Sequence, residues 1–98
     1  MYTVINRIPA PAAAAAAFEE RFAANMRETL PGVPGLIGAR LLRPRQEGGA
    51  YAAVMEFTSA DAFAAWMRSD AFRAAHGPST AGMDSVVESF ETVASVGA

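Results

Sequence analysis

Apolar and polar side chains alternate over residues 2–8, and this two-residue period predicts a β-strand. One face of that strand carries Tyr2, Val4, Asn6 and Ile8. Pro9 and Pro11 end the strand, because proline has no backbone N–H to donate to a neighbouring strand. The predicted strand therefore holds one carboxamide, that of Asn6, on a largely apolar face.

Residues 12–29 carry the pattern of an amphipathic helix, with apolar side chains every fourth position and charged residues around them. The repeated residues are Phe18, Phe22 and Met26. Six alanines follow Pro11, and alanine has the highest intrinsic helix propensity while proline suits a helix start. Prolines and glycines over residues 30–35 cannot continue the helix, so we predict a loop there.

Two further apolar runs, residues 36–43 and 51–57, have the length of strands. The connection between them contains Pro44, Gly48 and Gly49, which is typical of a hairpin, so we expect the two strands to pair antiparallel. A final valine-rich run over residues 86–96 predicts a fourth strand.

Between the third and fourth strands the pattern becomes helical again. Ser59 can cap a helix whose apolar residues recur at helical spacing. Those residues are Phe63, Trp66 and Met67. A second short helix is expected to begin at Ser69 and to end at His76, because Gly77 suits the left-handed position after a helix and Pro78 blocks continuation.

The predicted order of elements is β-α-β-β-α-α-β, which places the chain in the α+β class. This order is that of the ferredoxin-like split βαβ arrangement, in which helices cover one face of a four-stranded antiparallel sheet. The other face of the sheet is left bare. We predict that residues 1–98 form a single domain and that two copies pack their bare faces together in a dimeric α+β barrel.

The composition supports a homodimer. The chain has 98 residues, of which 52 % are hydrophobic, but alanine supplies 23 of these and leaves only 28 larger apolar side chains. A domain of this size leaves much of its surface uncovered, and so few large side chains make a small core. Burial of the bare sheet face by a second copy would add to that core.

Charge and cysteine content exclude several classes of partner and chemistry. The net charge is −2, with eight arginines and no lysine, so no basic stripe for nucleic acid is present. The chain has no cysteine, which excludes disulfides, thiolate nucleophiles and cysteine-ligated metals. No apolar run approaches the ~20 residues of a membrane span. We expect a cytoplasmic protein with no nucleic-acid or membrane partner.

Asn6 and His76 depart from their local patterns and are candidate functional residues. A buried carboxamide needs a hydrogen-bond partner, so Asn6 either bonds a backbone group or is a donor in a dry pocket. His76 is the only histidine, and it either caps the end of its helix or binds a metal. One axial histidine suffices for haem iron, because the porphyrin supplies four other nitrogens. Trp66 either fills the core or lines a slot for a flat ligand.

Residues 65–76 read AWMRSDAFRAAH, which combines a tryptophan, a basic-Ser-Asp segment and an Ala-Ala-His ending. Over nearly its whole length the chain resembles the small haem-degrading monooxygenases of the antibiotic biosynthesis monooxygenase superfamily, of staphylococcal and mycobacterial type. The resemblance is most specific over residues 65–76. Weaker points of resemblance are Asn6-Arg7, Glu20-Arg21-Phe22 and Pro34-Gly35.

The resemblance implies that haem is both cofactor and substrate, and that O2 opens its ring and releases the iron. An external electron donor, such as a reductase, is then required. His76 matches the axial iron ligand, Asn6 the hydrogen-bond donor across the porphyrin, and Trp66 the residue that distorts the macrocycle. Phe22 and Arg21 match residues that line or border the pocket. Residues 77–82 carry no charge, so a cationic partner for the haem propionates must come from an arginine elsewhere or be replaced by solvent.

Three alternatives remain at this point. A cofactor-independent monooxygenase of the same superfamily would use the same apolar slot for a quinol or another aromatic substrate. A non-catalytic haem-binding dimer would bind haem without turning it over. A purely structural role would leave His76 as a helix cap and Asn6 bonded to backbone.

Overall fold

The computed structural model describes residues 1–9, 12–70, 72 and 86–97 of the chain. The elements in chain order are β1 (Tyr2–Ile8), a 3-10 turn (Ala12–Ala14), α1 (Ala15–Thr29), β2 (Leu36–Leu42), β3 (Tyr51–Phe57), α2 (Ala60–Met67) and β4 (Val86–Glu91). The four predicted strands and the first two predicted helices are confirmed, with the alanine run forming a 3-10 turn before it becomes α-helical. The predicted hairpin strand over 36–43 ends one residue earlier, at Leu42.

The four strands form one antiparallel sheet in the order β2-β3-β1-β4. β3 lies between β1 and β2, which is the split βαβ topology, so the ferredoxin-like prediction is confirmed. β1 is an inner strand with β3 on one side and β4 on the other. Its residues are therefore held in register by two neighbours.

The prediction for the last strand is wrong at its C-terminal end, because β4 stops at Glu91 rather than at residue 96. β4 pairs only with β1, whose first residue, Tyr2, lies opposite Glu91. The Thr92 amide donates one more bond to the Met1 carbonyl, at 3.0 Å, and the ladder ends there. Valine content favours a strand, but a strand needs a neighbour to bond with, and β1 offers none further along.

Both predicted helix starts after β3 are confirmed by side-chain caps. The Ser59 hydroxyl accepts a hydrogen bond from the Ala62 amide at 3.1 Å, where α2 begins. The Ser69 hydroxyl accepts from the Phe72 amide at 3.2 Å, and the backbone is helical at Asp70 and Phe72. The predicted helix end at His76, with Gly77 and Pro78, lies outside the described residues.

The core lies between the sheet and the helices. Val4, Phe57 and Trp66 form its buried cluster, and Phe57 is fully buried. Partly buried residues around this cluster are Tyr2, Leu30, Val33, Leu36, Met55, Ala62, Phe63 and Phe72. The strand residues of this set share the face of the sheet that the helices cover.

Gly35, in the loop after α1, packs against the first turn of α2. Its φ of +80° lies in the left-handed region, and a Cβ added there would lie 2.5 Å from the Ala62 Cβ. The Thr58 amide donates to the Gly35 carbonyl at 2.8 Å, which fixes the loop at this position. Glycine is therefore required here both for backbone conformation and for close approach.

No described helix or loop covers the opposite face of the sheet. Leu42, Val86 and Phe90 are 45 %, 59 % and 45 % exposed on this face. Two ion pairs also cross it, Arg7 with Glu88 and Arg40 with Glu56. We call this surface the open sheet face. None of the helices in the described part of the chain is long and apolar enough to cross a membrane.

Candidate functional site

Asn6 lies in the middle of the helix-covered sheet face. Its cross-strand neighbours are Ala53 on β3 and Val87 on β4. The Asn6 Oδ1 atom is buried, and no donor among the described residues hydrogen-bonds to it. A buried carboxamide oxygen without a donor costs roughly 1–3 kcal/mol. Rotation of the amide by 180° exchanges its oxygen and its NH2 group, so the Asn6 side chain can accept a hydrogen bond from a ligand or donate one to it.

Five aromatic rings lie at the end of this face where β1 begins. We call them the α2 aromatic group: Tyr2, Phe57, Phe63, Trp66 and Phe72. Trp66 is 5 % exposed, and its ring centroid lies 5.9 Å from that of Phe57 and 5.0 Å from that of Phe72. The structure thus places Trp66 in the core, and its contact with a ligand stays a prediction.

Three rings lie at the other end of the face, where β1 finishes. We call them the α1 aromatic group: Phe18, Phe22 and Tyr51. The Phe18 ring lies between the other two, with centroid distances of 4.9 Å to Tyr51 and 5.5 Å to Phe22. Tyr51 pairs with Ile8 across the β1–β3 ladder, which fixes this group to the end of β1.

Asn6 therefore lies between two aromatic groups. Along β1 its same-face neighbours are Val4 and Ile8, each about 7 Å away at the rise of a strand. Val4 packs with the α2 aromatic group, and Ile8 pairs with Tyr51 of the α1 aromatic group. On the β4 side, Val87 shares this face and is 57 % exposed. The arrangement suits a flat apolar ligand that presents one polar atom to the Asn6 carboxamide.

The structure brings together part of the predicted site. Asn6, Phe22 and Trp66 all lie on the helix-covered side of the sheet, whereas Arg21 is exposed on α1. His76 lies outside the described residues, so its predicted role as an iron ligand stays a prediction.

Sequence reasoning missed a polar network at the α1 end of the face. Arg43 donates to both oxygens of Glu19, from Nε to Oε2 at 2.6 Å and from Nη2 to Oε1 at 2.5 Å. The Tyr51 hydroxyl donates to Glu19 Oε2 at 2.5 Å. We call these three residues the Glu19 clamp. Bidentate, charge-assisted bonds of this kind are among the strongest hydrogen bonds in proteins.

The clamp shifts the titration of its members. The hydrogen bonds from Arg43 and then from Tyr51 lower the pKa of Glu19 from 4.5 to about 2. The hydrogen bond to Glu19 raises the pKa of Tyr51 above its ordinary value, and the same carboxylate raises the pKa of Arg43. All three groups therefore keep their charge states, an anion, a cation and a neutral phenol, across the neutral pH range.

The sequence carries two usable signals for this clamp. Glu19 follows Phe18 and precedes Phe22 by three residues, so it borders the apolar face of α1 rather than the solvated one. Tyr51 has the same parity on β3 as Phe57, which places its ring under the helices. The third member, Arg43, is the last residue of the predicted strand 36–43 and lies just past the end of β2, and nothing in the sequence identifies its partner.

Comparison with known proteins assigns the family. Residues 1–78 match the sequence model of the family described as antibiotic biosynthesis monooxygenase (ABM). The chain belongs to the ABM family. This membership, together with its structural neighbours, makes the protein an oxidoreductase of the monooxygenase type. A search of curated proteins finds no significant match.

Solved structures similar to this ABM protein include haem-bound ones. The heme-degrader MhuD from Mycobacterium tuberculosis, with two haems bound in its active site, is 34 % identical with a TM-score of 0.82, covering 99 % of this chain and all of that one. A point mutant of MhuD, with two manganese protoporphyrin IX bound per active site, is 33 % identical with a TM-score of 0.84 and full coverage of both chains.

A cofactor-independent member is similar as well. A point mutant of SnoaB, a cofactor-independent oxygenase from Streptomyces nogalater, is 26 % identical with a TM-score of 0.79, covering 97 % of this chain and 95 % of that one. The ABM fold thus holds both haem-dependent and cofactor-independent chemistry. The family assignment predicted from residues 65–76 is confirmed.

Proposed function

We propose that this protein is a haem-degrading monooxygenase that opens the haem ring with O2 and releases the iron. The proposal is carried by the half-buried Asn6, whose Oδ1 atom is buried between two aromatic groups, in a chain 34 % identical to MhuD over almost its whole length. Among the described residues, the Asn6 oxygen has no donor within the protein. A ligand of the size and flatness of haem would meet rings on both sides and this amide from the sheet.

The residues around Asn6 fit such a ligand chemically. The α1 and α2 aromatic groups offer ring faces and edges against which a porphyrin packs. Ala53, beside Asn6 on β3, has only a methyl side chain, so it projects little from the sheet at this position. Dense packing elsewhere, with Phe57 fully buried, keeps water from the α2 side of the slot.

We assign each predicted site residue a role. The His76 imidazole would hold the haem iron, and the Asn6 amide would donate a hydrogen bond to the oxygen species in the slot. Trp66 would press on the macrocycle, Phe22 would line the slot, and the exposed Arg21 would border it as a cationic group. When bound, haem supplies the iron that activates O2 and the ring that is opened, with electrons from an external donor such as a reductase.

The test is an absorbance time course on purified protein with one equivalent of hemin, ascorbate as reductant, air and catalase. Catalase removes free peroxide, which attacks haem without an enzyme. We expect a Soret band that forms and then decays. His76→Ala should neither bind hemin normally nor turn it over, whereas Asn6→Ala should bind hemin and open the ring more slowly.

A matched control lies on the same strand. Thr3→Val removes one polar group from the opposite face of β1 at nearly constant volume, and it should leave the decay rate unchanged. Unchanged decay in Asn6→Ala would remove Asn6 from the mechanism. A stable Soret band in the wild type would instead indicate a non-catalytic haem-binding protein.

The second candidate is a cofactor-independent monooxygenase that acts on a quinol or another aromatic substrate. The similarity to SnoaB favours it, because that cofactor-independent oxygenase has the same fold over nearly the whole chain. In this case the Asn6 amide would bind a substrate hydroxyl. Failure of the wild-type protein to form any Soret band would make this the leading function.

We also propose that the protein is a homodimer joined through the open sheet face. Leu42, Val86 and Phe90 expose about half of their area there, and burial against a second copy would cover them. Sedimentation equilibrium should give twice the chain mass for the wild type and the monomer mass for Phe90→Asp. A wild-type protein that sediments only as a monomer would contradict the barrel.

A further inference from the structure

We propose that Glu19, held by Arg43 and Tyr51, is a positioning residue that fixes α1 over the sheet and so places Phe22 in the wall of the haem slot. This inference rests on the proposed function for its ligand. The clamp joins residues 24 and 32 positions apart in the chain, so it fixes tertiary rather than local structure. Arg43 follows β2 and Tyr51 begins β3, which means that both ends of the hairpin connection meet on one carboxylate of α1.

Helix α1 needs such an anchor because it buries little. No residue of Ala15–Thr29 is fully buried, whereas α2 has the buried Trp66. Helices without deep apolar anchors move at low energetic cost, since few contacts are lost when they shift. A bidentate ion pair is directional and fixes distance and angle together. The clamp therefore supplies the precision that apolar burial does not supply to α1.

The α1 aromatic group links the clamp to the position of Phe22. Tyr51 uses both parts of its side chain, because its hydroxyl bonds Glu19 and its ring packs on Phe18 at 4.9 Å. Phe18 in turn packs on Phe22 at 5.5 Å. Glu19 lies between Phe18 and Phe22 in the sequence of α1. Its hydrogen bonds and the ring contacts therefore constrain the same turn of the helix. A shift of that turn moves Phe22.

The fixed protonation states of the clamp residues argue against a catalytic role for them. The pKa of Glu19 is lowered to about 2, so it is a poor proton acceptor at neutral pH. The pKa of the Tyr51 phenol is raised by its bond to Glu19, so it is a poor acid. Groups that keep a fixed charge hold geometry well and transfer protons badly. The clamp fits positioning of the site rather than chemistry within it.

The test uses two single variants and one exchange of charges in the full-length protein. Glu19→Gln removes the charge, and Tyr51→Phe removes only the hydroxyl while keeping the ring on Phe18. Each should weaken hemin binding, measured by Soret titration, at least roughly threefold, as expected for coupled residues. Glu19→Arg and Arg43→Glu should each lose affinity, and the double variant should recover part of it because the pair is remade with opposite polarity.

A readout independent of haem keeps the inference separate from the proposed function. Hydrogen exchange of the α1 amides should quicken in Glu19→Gln while exchange in α2 stays as in the wild type, and the Phe22 ring resonances should move. Glu28→Gln is the matched control, because Glu28 is an exposed glutamate of the same helix. It should change neither exchange nor hemin affinity.

The outcomes separate cleanly. Unchanged α1 exchange and unchanged Phe22 resonances in Glu19→Gln would overturn the inference. Altered exchange with wild-type hemin affinity would overturn its link to the slot. If the wild-type protein binds no hemin, the proposed function fails, and the inference is then decided by the Phe22 resonances and their recovery in the charge-exchanged double variant.

Discussion

The two ends of the helix-covered sheet face are held together by different forces. At the α2 end, Phe57 is fully buried and Trp66 is 5 % exposed, so α2 is fixed by apolar packing and ring contacts. At the α1 end, the exposed Arg43 and the half-buried Glu19 meet the hydroxyl of the buried Tyr51, and α1 has no fully buried residue. Asn6 lies between the two ends.

Because of this difference, one end of the face mainly sets the stability of the fold and the other mainly sets the position of α1. Burial is strong but not directional, since a packed ring gains nearly the same energy over a range of positions. A bidentate ion pair at the surface adds little to stability, because solvent screens it, yet it fixes the distance between two elements. We expect changes at the α2 end to act on unfolding, and changes at the α1 end to act on the site.

The largest effect is expected from the α2 end. Phe57→Ala should lower the free energy of unfolding by about 3–5 kcal/mol, because it opens a cavity in the one fully buried ring position among the described residues. Urea unfolding followed by tryptophan fluorescence would report the loss, since Trp66 contacts this ring. Phe57→Leu should lose clearly less. A Phe57→Ala midpoint near that of the wild type would contradict a core centred at this end.

A smaller effect is expected at the joint between the loop after α1 and α2. Gly35→Ala combines a positive φ with a Cβ contact of 2.5 Å to Ala62, and a strained φ alone costs roughly 1–3 kcal/mol. Gly32 is the control, because its φ is +83° but a Cβ there would meet nothing within 4 Å. Urea midpoints should fall for both variants and further for Gly35→Ala. Equal losses would show that the close approach to α2 carries no cost.

The elements themselves could be predicted from the sequence because their signals are local. The alternation over 2–8, the four-residue repeat of Phe18 and Phe22, and the Ser59 cap each act within one element. The order of those elements then leaves few topologies, and the split βαβ sheet is one of them. Parity also placed Asn6 on one strand face with Tyr2, Val4 and Ile8, and the structure shows that the helices cover this face.

What could not be predicted depends on pairing between distant residues. Valine content extended the last strand to residue 96, but its end is set by where β1 begins, since Tyr2 lies opposite Glu91. The Glu19 clamp could not be predicted for the same reason, because Arg43 and Glu19 are 24 residues apart in the chain. Local periodicity carries no information about such contacts.

The smallest effect is expected from the α1 end, and it depends on pH. Glu19 has a pKa lowered from 4.5 to about 2 in the folded protein by its bonds with Arg43 and Tyr51. A lowered pKa in the folded state means that the bonds stabilise the protein above pH 4.5 and that this contribution is lost as the pH falls towards 2. Urea unfolding of the wild type and Glu19→Gln between about pH 7 and pH 2 measures it. The wild type should be the more stable near neutral pH, and the gap between the two proteins should narrow below pH 4.5. Glu28→Gln should follow the wild type throughout, and a gap for Glu19→Gln that stays constant with pH would show that the carboxylate charge of Glu19 does not hold α1.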